Sequence, residues 1–360
     1  MTFTEALNLL VNGATPSEAA LVALLGCNDV EAAELYRAAD KLRAAMVGDG
    51  IHLRALLEFS NICSKDCAYC GLRRSNRQAT RYRLTPDDIV GIACEAKDLG
   101  FPSIVMQAAE DGWFTGQRVA EVVREIKEKT SLAVTLSVGE RSESDYRLWR
   151  EAGADRYLLR IETTHPDLFR ALHPDGNLEN RMECLRVLKR LGYQLGSGVM
   201  VGLPGQTLEL LARDVLWLYE LGTEMVGIGP FIPHPETPLA TADGGTFNEG
   251  LRLVAVLRLV FPHAHIPATT AMASLDPMGR ERALQAGANV LMPAVTPTER
   301  RPQYALYPGK ICLDDNARRY RGSLEARIRS IGRYIASGRG DVYRVEHDEE
   351  VSAGDIGEDV

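Results

Sequence analysis

Cys63, Cys67 and Cys70 fall within eight residues, with three and then two residues between them. Thiolates at that spacing on one short loop suit a [4Fe-4S] cluster: each takes one iron, and the fourth iron is left without a protein ligand. That open iron could hold a substrate or a cofactor. Zinc is the competing chemistry, but it takes four ligands in paired spacing, and neither a second cysteine pair nor a His-x3-His stands nearby. The stretch from Ala55 to Asn61 reads as the end of a buried strand, so the cysteines sit on the loop that leaves it.

Length and composition bound what can surround such a loop. The chain has 360 residues, 45% hydrophobic and 25% charged, the profile of a globular protein with ample core. A formal net charge of −8 argues against a general nucleic-acid or acidic-membrane partner. The richest apolar run, Leu251 to Phe261, is too short for a membrane span and carries Arg252 and Arg258. The first residues lack the basic and apolar regions of a signal peptide. Seven cysteines, three clustered and four scattered, do not make a disulfide scaffold. The expected setting is a reducing, cytoplasmic and, for a cluster, anaerobic one.

Residues 1–50 read as a helical extension. Thr15-Pro16-Ser17-Glu18 predicts a helix start with Thr15 as N-cap and proline at the first helical position, and a second helix runs from about Asp29 to Val47. Strands are expected at Leu53–Phe59, Ser103–Gln107, Ala133–Ser137, Tyr157–Glu162, Leu195–Val201, Met225–Gly229, His265–Ala268 and Val290–Met292. Helix-length segments separate most of them, several ending in glycine before the next strand. Eight βα units over residues 51–312 predict a complete (βα)8 TIM barrel, with an open doubly wound sheet as the alternative. Residues 313–360 are expected to form a C-terminal helix and a disordered acidic tail, the polar stretch beginning near Ile335.

In such a barrel the reactive groups sit where strands end. The second strand leads to Gln107-Ala108-Ala109-Glu110. The third places Thr135 and Ser137 on one face. Alternation along the fourth puts Leu158, Arg160 and Glu162 on a common face, read as the lumen, where a buried Arg and Glu need a charged partner. Arg181, on the next helix, could complete an anion clamp. The fifth strand runs into Gly202-Leu203-Pro204-Gly205, read as a tight βα turn. The sixth leads to a Pro- and Gly-dense loop whose His234 reads as structural, and the seventh ends in Thr269-Thr270.

The cysteine spacing, with Tyr69 just before the last cysteine, resembles the signature of the radical S-adenosylmethionine (SAM) superfamily. The stretches EFSNICSKDCAYCGLRR, TRYRLTPDDI, GADRYLLRIET, VGLPGQT, MVGIGPFIPHPETPLA, IPATTAM, GANVLMP and LYPGKIC resemble the HydE family of [FeFe]-hydrogenase maturases, over about residues 50 to 315. That group is similar in fold to biotin synthase and methylornithine synthase. The resemblance implies one [4Fe-4S] cluster on Cys63, Cys67 and Cys70 with SAM on its open iron, cleaved reductively to a 5′-deoxyadenosyl radical. It implies SAM contacts from Tyr69, Gln107, Arg160, Glu162 and Arg181, and deeper substrate or anion sites at Thr135, Met225, Thr269, Thr270, Met292 and Tyr304. It implies a small-molecule or organometallic substrate, an Fe(CO)2(CN)-cysteine precursor of the H-cluster, an electron donor such as ferredoxin or flavodoxin, and other hydrogenase maturases as partners. The chain departs from the family at Ala108, Ala109, Ile161 and Ala294, and residues Asp314 to Ser323 lack the cysteines of a second cluster.

Two other functions compete. A paralogue of the same group would act on an amino-acid-derived substrate, as methylornithine synthase does, or in another metallocofactor pathway. A non-catalytic iron–sulfur carrier would need no SAM pocket, and the charged set at Arg160, Glu162 and Arg181 speaks against it.

Overall fold

The computed structural model describes residues 1–310 and 317–342. Three helices open the chain: α1 (Phe3–Val11), α2 (Glu18–Leu25) and α3 (Asp29–Val47). Each has a side-chain N-cap, and Thr2 and Asn28 form full capping boxes with Glu5 and Glu31. The expected start at Thr15 is corrected. Ser17 caps α2, its hydroxyl accepting from Ala20 N, and Pro16 stays outside the helix. Leu21, Leu24, Leu25, Leu35 and Ala39 are all buried in the same apolar core as the barrel, so the extension is part of the main body.

The barrel alternates as the glycine-ended units require. Its elements are β1 (Gly50–Leu53), β2 (Ala55–Ser60), α4 (Pro86–Asp98), β3 (Ser103–Ala108), α5 (Gly116–Lys129), β4 (Ala133–Ser137), α6 (Glu143–Glu151), β5 (Arg156–Leu158), α7 (Pro166–Leu172) and α8 (Leu178–Arg190). Then come β6 (Gln194–Val201), α9 (Leu208–Leu221), β7 (Met225–Pro230), α10 (Phe247–Val260), α11 (Thr270–Leu275), α12 (Gly279–Leu284), β8 (Val290–Leu291), α13 (Ala317–Ser330) and β9 (Tyr334–Ile335). Strands β2 to β7 form one six-stranded parallel sheet in sequence order.

Single bridges, rather than full ladders, carry the circuit from β7 back to β2. Met225 bridges His265, Pro267 bridges Val290, and Leu56 bridges Ala294, all parallel. Backbone hydrogen bonds back them, from Val226 N to His265 O (3.0 Å), Ala268 N to Val290 O (2.9 Å) and Leu56 N to Pro293 O (2.8 Å). The expected seventh strand is thus reduced to bridges, because Pro267 has no N–H to give a ladder.

At the N-terminal ends of the strands, β9 pairs with β1. Residues 336–342, expected to begin a tail, instead lie across this end. Arg156, fully buried, donates to Asp341 Oδ1 (2.6 Å) and Arg339 O (2.7 Å), and Val342 N donates to Gln194 Oε1 (3.2 Å). Residues 343–360, where most of the expected tail falls, and Cys312 lie outside the described residues.

Candidate active site

The cysteine loop leaves β2 at the C-terminal mouth of the barrel, and buried side chains hold it in one shape. Arg81 donates to four loop carbonyls: Asn61 (2.7 Å), Leu72 (2.9 Å), Arg73 (2.7 Å) and Asn76 (3.1 Å). Asn61 accepts from Tyr82 N (2.7 Å) and donates to Thr80 O and Gln303 O. Gly71, just past Cys70, lies so close to Ala305 O and the His234 ring that any Cβ there would collide with both. His234 itself is buried, and its Nδ1 accepts from Glu236 N (3.1 Å).

All three thiols line one cleft. Burial, the largest influence on each, pushes their pKa values up, that of Cys70 to about 12. Left alone they would stay protonated. A metal that binds them displaces the proton and takes the thiolate, as in an iron–sulfur donor set.

Facing the thiols across the cleft are Gln107 and Glu110 from β3 and its loop, Arg160 and Glu162 beyond β5, Arg181 from α8, and Tyr304. Arg160 and Glu162 do meet, Nη2 to Oε2 at 3.1 Å, but not by strand alternation. Strand β5 stops at Leu158, and Glu162 has φ +63°, a left-handed conformation that costs a non-glycine residue free energy. Asp214, on α9, holds the turn that follows: it accepts from Thr164 N (2.5 Å), Thr164 Oγ1 (2.6 Å) and Thr163 Oγ1 (3.3 Å). The ion pair with Arg160 is the contact of Glu162 Oε2, and Arg160 Nε is buried without a hydrogen-bond partner among the described residues. Burial raises the Glu162 pKa, against the pull of Arg160 and Arg181.

Arg181 does not swing free as an anion clamp. Its Nε is paired with Glu140 and its Nη1 donates to Arg160 O (2.8 Å), so it buttresses the charged pair. Tyr69 packs with a second, small apolar cluster of Leu168, Leu172, Met200, Leu203 and Phe231. The Gly202 turn is stapled by Gln206, whose Oε1 accepts from Gly202 N (2.9 Å) and whose Nε2 donates to Met200 O (3.0 Å).

Thr135, Met225 and Met292 lie together in a deeper pocket of about 30 Å3 inside the barrel, with Arg54 and His265. Leu158 lines both this pocket and the cleft above. Arg54 is 2% exposed and makes no ion pair among the described residues, with Met225 Sδ (2.9 Å) and Gly340 O (3.4 Å) as its contacts. Burial, then Arg156, draws its pKa well below the usual guanidinium value. The same forces act on His52, pushed down to about 4 chiefly by burial. Arg54 Nε, Thr135 Oγ1 and His265 Nε2 have no partner.

The sequence-predicted residues thus separate into two groups at two depths. The cluster and SAM set gathers at the mouth with Tyr304, while Thr135, Met225 and Met292 gather below. Thr269 and Thr270 line neither pocket; Thr269 sits at the N-cap of α11 without a side-chain cap bond, and its buried Oγ1 has no partner among the described residues. Ile161 is fully buried in the core and its N–H donates to Ser197 Oγ (3.2 Å), so this departure from the family faces away from the cleft. Ala108 and Ala109 do line it. Sequence reasoning missed Glu140, His173, Asp214, Arg54 and His265, which no local pattern marks.

A parallel α/β barrel whose first long loop brings three half-buried thiols into one cleft with an Arg–Glu pair has the site of the radical SAM superfamily, and the chain belongs to it: the Radical SAM superfamily pattern matches residues 57–218. Its cofactors are a [4Fe-4S] cluster and S-adenosylmethionine. Within the superfamily the chain is 53% identical over 279 residues to the [FeFe] hydrogenase maturase subunit HydE of Thermotoga maritima, covering 78% of this chain and 80% of that one, which places it in the HydE family. It is 29% identical over 285 residues to a 3-methylornithine synthase of Methanosarcina acetivorans, over 78% of this chain and 80% of the relative. In three dimensions it matches a crystal structure of methylornithine synthase with a TM-score of 0.81 at 26% identity, over 92% of this chain and 97% of that one. The site fits both cofactors. Three thiols suit three irons, and the Glu162 carboxylate and Arg160 guanidinium suit the ammonium and carboxylate of a bound amino acid.

Proposed function

We propose that this chain is a HydE-type maturase of [FeFe]-hydrogenase, acting in the cytoplasm with a low-potential electron donor. Identity of 53% across the barrel to a HydE carries the choice of reaction. When bound, the cluster supplies the electron that splits SAM into methionine and a 5′-deoxyadenosyl radical. The protein's part is placement. Cys63, Cys67 and Cys70 hold three irons. Glu162 receives the SAM ammonium and Arg160 its carboxylate, both kept in place by Arg181 from behind. Tyr69 and the small apolar cluster beside it receive the adenine, and Gln107 lines the same cleft beside Tyr304. The Glu162 carboxylate is buried beside a partly exposed Arg160 and is costly to hold there without such a ligand, which supports this assignment.

The deeper pocket takes an anionic end of the substrate. Among the described residues, Arg54 offers a buried guanidinium with no carboxylate partner and Thr135 an unpaired hydroxyl, and Met225 and Met292 add polarizable walls suited to a soft ligand. An Fe(CO)2(CN)-cysteine precursor, carrying cyanide and thiolate, has that chemistry. The test is complementation. In a cell-free maturation mixture lacking its HydE, this chain should restore active [FeFe]-hydrogenase. A mixture that stays inactive while the chain cleaves SAM would move the function to a paralogue with another substrate.

A further inference from the structure

Each of the three sulfurs has a hydrogen-bonding contact, but the partners differ in kind. Cys63 Sγ accepts from Lys65 N and Cys70 Sγ from Leu72 N, each at 3.4 Å from two residues on. For Cys67 the contact comes from 106 residues away: His173 Nδ1, 3.3 Å from its sulfur. A metal-bound thiolate carries no proton, so at this contact the imidazole must be the donor.

His173 is built into that position. It is 2% exposed and caps the end of α7, its N–H donating to Phe169 O (2.8 Å). Its ring lies against Phe169 (centroids 4.5 Å apart) and edge-on to Tyr69 (5.4 Å). The residue before it, Leu172, accepts from Ala68 N (2.8 Å), and Asp175 accepts from Asp66 N (3.1 Å). The segment that carries the ring is therefore bonded to the backbone on both sides of Cys67, and the sulfur and the imidazole move as one unit. Among the described residues, His173 Nε2 is buried with no partner. The Nδ1–H tautomer leaves only a lone pair there rather than a stranded N–H.

We infer that His173 is a positioning residue for the electron step: its Nδ1–H···Sγ bond to Cys67 stabilises the reduced cluster and raises the potential at which it accepts an electron. This rests on Cys67 being a cluster ligand. Hydrogen bonds to the sulfurs are among the controls on cluster potential, because each added electron increases the negative charge the donor faces. Burial of the site works the other way, so the bond offsets part of the cost of a dry cleft.

The test is an EPR-monitored redox titration of the reconstituted full chain without SAM, comparing wild type, His173→Phe and His173→Asn. The phenylalanine keeps a ring and removes the donor; the asparagine amide keeps a donor near Nδ1. The Phe variant is expected to need a potential more negative by about 59 mV, a tenfold shift in the one-electron ratio, and the Asn variant to return most of it. A loaded Phe variant titrating at the wild-type potential overturns the inference, as do equal shifts in both variants. Should the Phe variant fail to load, pulsed EPR of wild type with 15N-histidine decides. A weak coupling from a non-ligating imidazole nitrogen supports the bond, and its absence overturns it. Failure of the underlying reading looks different: no cluster in wild type, or an unchanged cluster in Cys67→Ala.

Discussion

Glu162 offers a test in which stability and function move in opposite directions. Its side chain is buried at the cleft, its backbone sits at φ +63°, and its Oε2 is paired with Arg160 Nη2 at 3.1 Å. A residue held in that conformation costs on the order of 1 kcal/mol or more relative to glycine. Charge-assisted hydrogen bonds to a bound ammonium are worth about 1.5–3 kcal/mol, or roughly 10- to 150-fold in affinity. Glu162→Gly should therefore unfold at higher denaturant, by about 1 kcal/mol, while binding SAM at least about tenfold more weakly. Glu162→Gln, which keeps the shape and loses the charge, should lose a similar share of SAM affinity without the gain in stability. Anaerobic equilibrium dialysis with labelled SAM and urea titrations read the two quantities, and the cluster's absorption spectrum should be unchanged in both variants. SAM affinity at the wild-type level in Glu162→Gln, with an intact cluster, would refute the reasoning.

Replacing any one of Cys63, Cys67 or Cys70 with alanine should abolish both the cluster absorption and SAM cleavage, because each buried thiol has its own iron to hold. The wild-type chain should load about four irons, one cluster, since residues 314–323 contain no cysteine; well over four per chain contradicts that. Asp214 should make stability fall as pH rises. Burial raises its pKa from 3.8 to about 6 despite three donors, so the folded state holds a proton that the unfolded state has released between those values. The slope spans about two pH units and is worth at most about 3 kcal/mol; Asp214→Asn should flatten it in urea titrations at pH 4 and pH 7.

The cysteine loop and the alternating units were legible because their signals are local: spacing in one case, periodicity ended by glycine in the other. The position of Arg160 and Glu162 at the mouth was legible too, since a barrel brings strand ends together. The means was not. Alternation presumes a strand through Glu162, whereas β5 stops at Leu158 and a left-handed turn does the aiming. That turn depends on Asp214, 50 residues from Thr164, a relation no local pattern holds. Arg181 looked available because the sequence does not show Glu140 reaching it across 41 residues. Polarity after Ile335 reads as a tail when burial is unknown, yet Asp341 is the carboxylate that answers buried Arg156.

The most direct measurement is product analysis of the reconstituted wild-type chain given SAM and dithionite without oxygen. The cleft described above predicts 5′-deoxyadenosine and methionine in equal amounts, and neither from the Cys67→Ala variant. An intact, reducible cluster that yields no 5′-deoxyadenosine would contradict the account.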